Sequence, residues 1–174
     1  MAPAGSWQQR KRVNRLNRMS IQESAAAYES ATQYFLNLAR GVMKDQLDIK
    51  NPEGWSARQI IHHLADSEAQ SYARLRRLVA EPEGSTIQGY DENLWAVAPQ
   101  LGYESAPVEN SIAVFAAVRA GSLDVIKRLE ESDLAKFGEH SERGKFTIET
   151  WFMAYTKHPH DHGDQLIRAT KGQE

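Results

Sequence analysis

Apolar residues recur at helical spacing in four stretches of the chain, and no stretch shows the sustained alternation of a strand. The first stretch runs from about Ser20 to Met43, with Ile21, Ala25, Tyr28, Thr32, Phe35, Ala39 and Met43 on one stripe. The second runs from about Ser56 to Ala80, carries Ile60, Ile61, Leu64, Leu75 and Leu78, and is closed by Pro82. The third, about Val108 to Glu131, places Ile112, Phe115, Val118, Ile126 and Leu129 together. The fourth, about Thr147 to Ala169, places Ile148, Trp151, Phe152, Tyr155 and Leu166. Four amphipathic helices bury four stripes most directly as a four-helix bundle, so the expected fold is all-α. The connections are unequal. The long one between the second and third helices is expected to be structured, with a short helix over Tyr90–Trp95 stopped before Pro99.

Composition narrows the chemistry. The chain has 174 residues, 41% hydrophobic and 25% charged, enough for one soluble domain with its own core. It has no cysteine, which excludes disulfides, thiolate metal sites and a cysteine nucleophile. No apolar run reaches the ~18 residues of a membrane span, and a cytoplasmic protein is expected. The net charge of −2 is uneven. Arg10, Lys11, Arg12, Arg15 and Arg18 form a basic N-terminal extension over 1–18, and the bundle is expected over 19–174. Setting those five aside leaves 16 basic against 23 acidic residues, a net of −7, which argues against nucleic acid as a partner of the bundle.

The histidines sort by helical phase. Rotating by roughly 100° per residue, His63 lies at the inner edge of the second stripe, and His158 and His162 lie near the centre of the fourth. His62 and His160 fall on the outward side. Inward imidazoles need hydrogen bonds or a metal. His158 and His162, at i and i+4, can share one ion, and His63 completes a set of three. Three neutral imidazoles suit Zn, Ni, Cu or Fe(II) and leave an open position for water or substrate. Pro159, between the paired histidines, is expected to bend the helix. The Glu-x-x-His pairs of a di-iron carboxylate bundle are missing.

Other residues suggest supporting roles. Asp66, one turn beyond His63, is expected to orient a ring N–H or to be a plain surface carboxylate. Arg119, on the apolar side of the third helix, needs a partner: an ion pair with Asp91, or an anionic substrate. His140, in the glycine-flanked segment before the fourth helix, is a candidate general acid/base. Tyr90, Asp91 and Trp95 are expected to line or cover a substrate pocket. No Ser/His/Asp order supports Ser67 as a nucleophile.

Taken in order, these motifs resemble the DinB-like proteins. Gly54-Trp55-Ser56 with Gln59-Ile60-Ile61-His62-His63-Leu64-Ala65-Asp66-Ser67-Glu68 is similar to the opening of that family's second helix. Tyr90-Asp91-Glu92, Trp95, Arg119, His140, Gly144 and Thr147 resemble its middle, and Tyr155, His158 and His162 before Gln165-Leu166-Ile167 its end. The branch resembled most is the YfiT-like metal-dependent hydrolases. The resemblance implies an antiparallel four-helix bundle, one divalent ion such as Zn or Ni on His63, His158 and His162, and a homodimer acting on a small molecule. It also implies hydrolysis or transfer of an external low-molecular-weight thiol, as in the bacillithiol S-transferases and mycothiol-dependent isomerases. Pro159 departs from the family's common form. A metal-binding, stress-related dimer without turnover is the alternative.

Overall fold

The computed structural model describes residues 19–49 and 54–173. The basic extension over 1–18 lies outside the described residues. The four long helices are α1 (Ile21–Gly41), α2 (Ala57–Ala80), α4 (Glu109–Ile126) and α5 (Ile148–Ala169), with a short α3 (Glu92–Val97) between α2 and α4. Each expected helix is present, and four of the five starts are set by side chains that satisfy free backbone N–H groups, α4 beginning after Val108 without one. Ser20 with Glu23 and Ser56 with Gln59 form capping boxes, Asp91 caps α3, and Thr147 caps α5. The third helix ends at Ile126, earlier than its stripe suggests, and a separate 3₁₀ turn follows at Glu131–Ala135. Met43 falls beyond α1 and is exposed.

The helices do not pack in simple sequence order. α1 lies against α4 and α5, and α2 lies against the same two. Consecutive helices α1 and α2 are therefore diagonal partners, which makes α4 and α5 the shared walls of one interior. No described helix is long and apolar enough to cross a membrane.

The bundle is the expected all-α one, and a small sheet joins its connections. Thr86–Ile87 (β1) pairs parallel with Phe137–His140 (β2), which pairs antiparallel with Gly144–Thr147 (β3). Strands this short are set by pairing rather than by an alternating pattern, which is why periodicity misses them. A Cβ on Gly138 would meet the carbonyl oxygen of Ser85 at 2.6 Å, so glycine is what lets β1 approach β2. The sheet ties the long α2–α4 connection to the segment before α5 and puts His140 at the end of β2, in a strand rather than a loop.

The core forms two apolar clusters. One gathers Tyr28, Leu75, Ile126 and Trp151, the other Phe35, Ile60, Leu64, Phe115 and Leu166. Between them, at one level of the bundle, each long helix contributes polar groups: Thr32 from α1, Glu68 from α2, Arg119 and Ser122 from α4, and His158 from α5. A polar layer between two apolar ones is costly unless each group is bonded. It is at this level that the histidines meet.

Candidate metal centre

His63, His158 and His162 converge. Each offers one ring nitrogen to a group in which all three lie within 4.8 Å of one another. The ring centroids are 4.7 Å apart for His63 and His162, 4.5 Å for His158 and His162, and 5.5 Å for His63 and His158. α5 runs through Pro159 without a break, so the paired rings stay one turn apart on one face.

The chain's own partners orient the rings. Nδ1 of His162 is 2.7 Å from Oε1 of Gln165, an oxygen that can only accept, so the neutral ring carries its proton on Nδ1 and leaves Nε2 bare. Nδ1 of His158 lies 3.5 Å from Oε1 of Glu68 and is buried without a hydrogen-bond partner. Trp55 stands edge-on to His63 at 4.8 Å. Both ring nitrogens of His63 are buried without a hydrogen-bond partner. A buried imidazole with two unpartnered nitrogens is expensive for a protein that uses it only for packing. It is what a ligand to a divalent ion looks like, so the residues present fit such an ion. Burial, and then the neighbouring histidines, lower the pKa of His63 to about 3 and that of His162 to about 4. Both are neutral near pH 7, the state in which imidazole binds metal.

Several expected placements need correction. His62 does not face solvent. It is buried, its Nε2 donates to the carbonyl of Ala106 at 3.2 Å, and its Nδ1 accepts from Ser111 Oγ at 2.8 Å. A single stripe does not describe α2, which the α2–α4 connection and α4 cover on a second side. Asp66 does not reach the His63 ring. Its Oδ2 accepts from Tyr103 Oη at 2.7 Å, on the His62 side. Tyr103 belongs to the α2–α4 connection, and its ring lies 5.6 Å from that of His62.

Arg119 is not at the mouth of a pocket and does not pair with Asp91. It is 1% exposed, and its Nη1 pairs with Glu68 Oε1 at 3.1 Å. Its other bonds go to Thr32 Oγ1 and to the carbonyls of Tyr28 and Tyr155. Asp91 is engaged as the cap of α3, its Oδ1 accepting from the N–H groups of Asn93 and Leu94.

A cavity of about 540 Å³ opens beside His158 and His162 and is walled by Tyr90, Asp91, Glu92 and His140 among others. Trp95 is not part of that wall; it backs the Tyr90 ring at 4.7 Å. His140 is buried, and its Nδ1 accepts from the N–H of Glu142 at 3.2 Å. Burial and the nearby Arg74 hold its pKa below the ordinary histidine value.

Four groups come from the structure rather than from sequence reasoning. Glu92 places Oε2 3.7 Å from Nε2 of His63. Glu68 and Gln165 back His158 and His162, and Arg74 lines the cavity. Glu68 had a legible signal: an acid roughly 40° from Leu64 on an apolar stripe needs a buried partner. Glu92, on a short helix in a long connection, had none.

Comparison with known proteins agrees with this geometry. The family model described as the DinB superfamily matches residues 27–166. A protein of Oceanobacillus iheyensis named "putative metal-dependent hydrolase" is 30% identical over 143 residues, which is 82% of this chain and 81% of that protein. A Bacillus mycoides protein of the same name is 30% identical over 129 residues, 72% of each chain. Among solved structures, Bacillus subtilis YfiT, described as a probable metal-dependent hydrolase with an unusual four-helix bundle topology, matches with a TM-score of 0.78. It shares 25% identity, over 91% of this chain and 93% of YfiT.

Proposed function

This chain belongs to the DinB superfamily, and from that membership we propose that it is a metal-dependent hydrolase of small molecules whose ion is held by His63, His158 and His162. The observation that carries the proposal is the His63 ring, buried with neither nitrogen bonded, beside His158, whose Nδ1 is also unbonded, and His162, whose Nε2 is left bare by Gln165. Zn or Ni suits three neutral imidazoles. When bound, such an ion would supply Lewis acidity, lowering the pKa of a nucleophile toward ~7.

The chain's residues do the rest. Glu92, exposed on its outer side and beside His63, accepts the proton of the attacking nucleophile. His140 lines the cavity with its Nδ1 occupied, so the neutral ring offers Nε2–H to the substrate. Tyr90 and Asp91 bound the substrate. Gln165 keeps the His162 ring in one orientation, so that ring reorganises little on binding. The chain has no thiol, so transfer chemistry of the kind its resemblance implies would use one from outside.

Calorimetric titration of metal-free protein with zinc and nickel tests the first step. One ion per chain is expected, with binding lost in the His158→Ala, His162→Ala double variant. Unchanged affinity in that variant would overturn the assignment. Ester, amide and thiol-transfer substrates offered to the loaded protein then separate hydrolysis from transfer, and no rate above free metal with any of them would leave binding alone.

A further inference from the structure

Among the described residues two arginines are buried, and the fold treats them differently. Arg119 has a buried carboxylate, Glu68, against it. Arg74, 8% exposed on α2, has no carboxylate in ion-pair contact among the described residues. Its Nη1 donates to Tyr155 Oη at 2.6 Å and its Nη2 to the carbonyl of Gln88 at 2.9 Å, while Nε is buried without a partner. A guanidinium stays charged at any pH a protein meets. Holding it out of water against neutral oxygens alone leaves a positive potential uncompensated.

That potential faces the cavity. Arg74 lines it, as do Tyr155, His140 and the exposed Arg143. Because Tyr155 Oη accepts from Arg74, its own proton remains to be donated. Because His140 Nδ1 accepts from Glu142 N–H, the neutral ring donates through Nε2. One wall thus carries a fixed charge and two neutral donors. Three acids share the cavity lining: Asp91 is engaged as the cap of α3, Glu92 stands by His63, and Glu142, exposed in the β2–β3 turn, is near enough to His140 to act on it. A volume of about 540 Å³ accommodates a small organic molecule spanning from this wall to the histidines.

Resting on the hydrolase reading above, we propose that the substrate carries a carboxylate, which Arg74, Tyr155 Oη and His140 hold while the scissile bond lies at the histidine cluster. The anionic substrate, one of two partners that the sequence offers Arg119, falls instead to Arg74, one helix away.

The test uses glutarate and its neutral isostere glutaramide, titrated calorimetrically into the full-length chain, zinc-loaded and chelator-treated. Glutarate is expected to bind about tenfold or more tighter than glutaramide in both states, the worth of a charge-assisted hydrogen bond. Arg74→Met should abolish that preference while leaving zinc affinity within about threefold, and Arg74→Lys should keep part of it. Equal binding of the two probes, binding of neither, or a preference that survives Arg74→Met overturns the proposal. So does a preference that appears only with zinc and is lost in His63→Ala, because the carboxylate would then be on the ion. Should zinc fail to bind while the chelated protein still prefers glutarate, the metal reading falls and the carboxylate wall stands. A thermal melt of each variant shows whether it is folded, and Arg74→Lys carries the test where Arg74→Met is not.

Discussion

Nη1 of Arg119 donates to the main-chain carbonyl of Tyr155 at 2.7 Å, and that carbonyl is the one that Pro159, four residues on, has no N–H to reach. A proline inside a helix normally strands the i−4 carbonyl. Here a side chain from a neighbouring helix takes it up, and the same guanidinium holds Glu68, which backs His158. The departure at Pro159 is thereby tied to the orientation of a ligand ring. Arg119→Met should cost about 3–5 kcal/mol, since it leaves a buried carboxylate and carbonyls without partners. In a Pro159→Ala background the helix supplies its own N–H, and the same change should cost about 1–3 kcal/mol less. Urea denaturation of the four proteins measures the cycle; strict additivity would mean that the carbonyl is not what couples them.

Acid should destabilise the metal-free protein well before its carboxylates titrate. His63 and His162 are held neutral in the fold, with pKa values of about 3 and about 4 against the ordinary 6.5. Below pH 6.5 the unfolded chain takes up protons that the folded chain refuses, so stability is full above that pH and falls as pH drops toward 4. The slope is up to about 1.4 kcal/mol per pH unit for each ring. Burial lowers His62 and His140 as well, which adds in the same direction. Urea midpoints in chelator at pH 7, 6 and 5 should fall in that order. Midpoints that do not move would show rings open to solvent.

The outline of this fold is legible because its helices obey a single period and four of the five start at Ser20, Ser56, Asp91 and Thr147, whose side chains satisfy free amides. The convergence of His63, His158 and His162 follows from phase on two helices that pack together. Phase fails for His62, since a helix touching two partners and a loop has more than one inward side. It fails for Asp66, whose partner Tyr103 lies far off in sequence. The sheet, the packing of α1 diagonally from α2, and Glu92 beside His63 depend on contacts between residues far apart in sequence, for which a local pattern holds no information.

Gln165 offers a way to disturb the centre without touching a ligand. Its Oε1 fixes the His162 proton on Nδ1. In Gln165→Leu that ring loses its acceptor, both its tautomers become accessible, and rotation no longer breaks a bond. Zinc affinity should fall roughly 10–100-fold, the range for partners that orient ligand histidines. Thermal stability of the metal-free protein should move little, because Gln165 is only half-buried. An unchanged affinity would mean that packing alone aims His162.

Glu92 separates a ligand from a base. Its carboxylate is 3.7 Å from His63 Nε2 and 55% exposed, close enough to meet the same ion or to take a proton from a nucleophile beside it. The two roles give opposite signatures in Glu92→Gln. A fourth ligand would show as zinc affinity weakened by orders of magnitude. A base would leave zinc affinity nearly as it was and lower kcat about 10²–10⁴-fold, with the acid limb of the pH profile removed. The exposed side of Glu92 favours the second outcome, since a closed four-ligand site would draw its carboxylate inward and leave no open position. Zinc titration and pH–rate profiles on the same preparation decide between them. Retained activity with an intact acid limb would mean that Glu92 does not accept the proton.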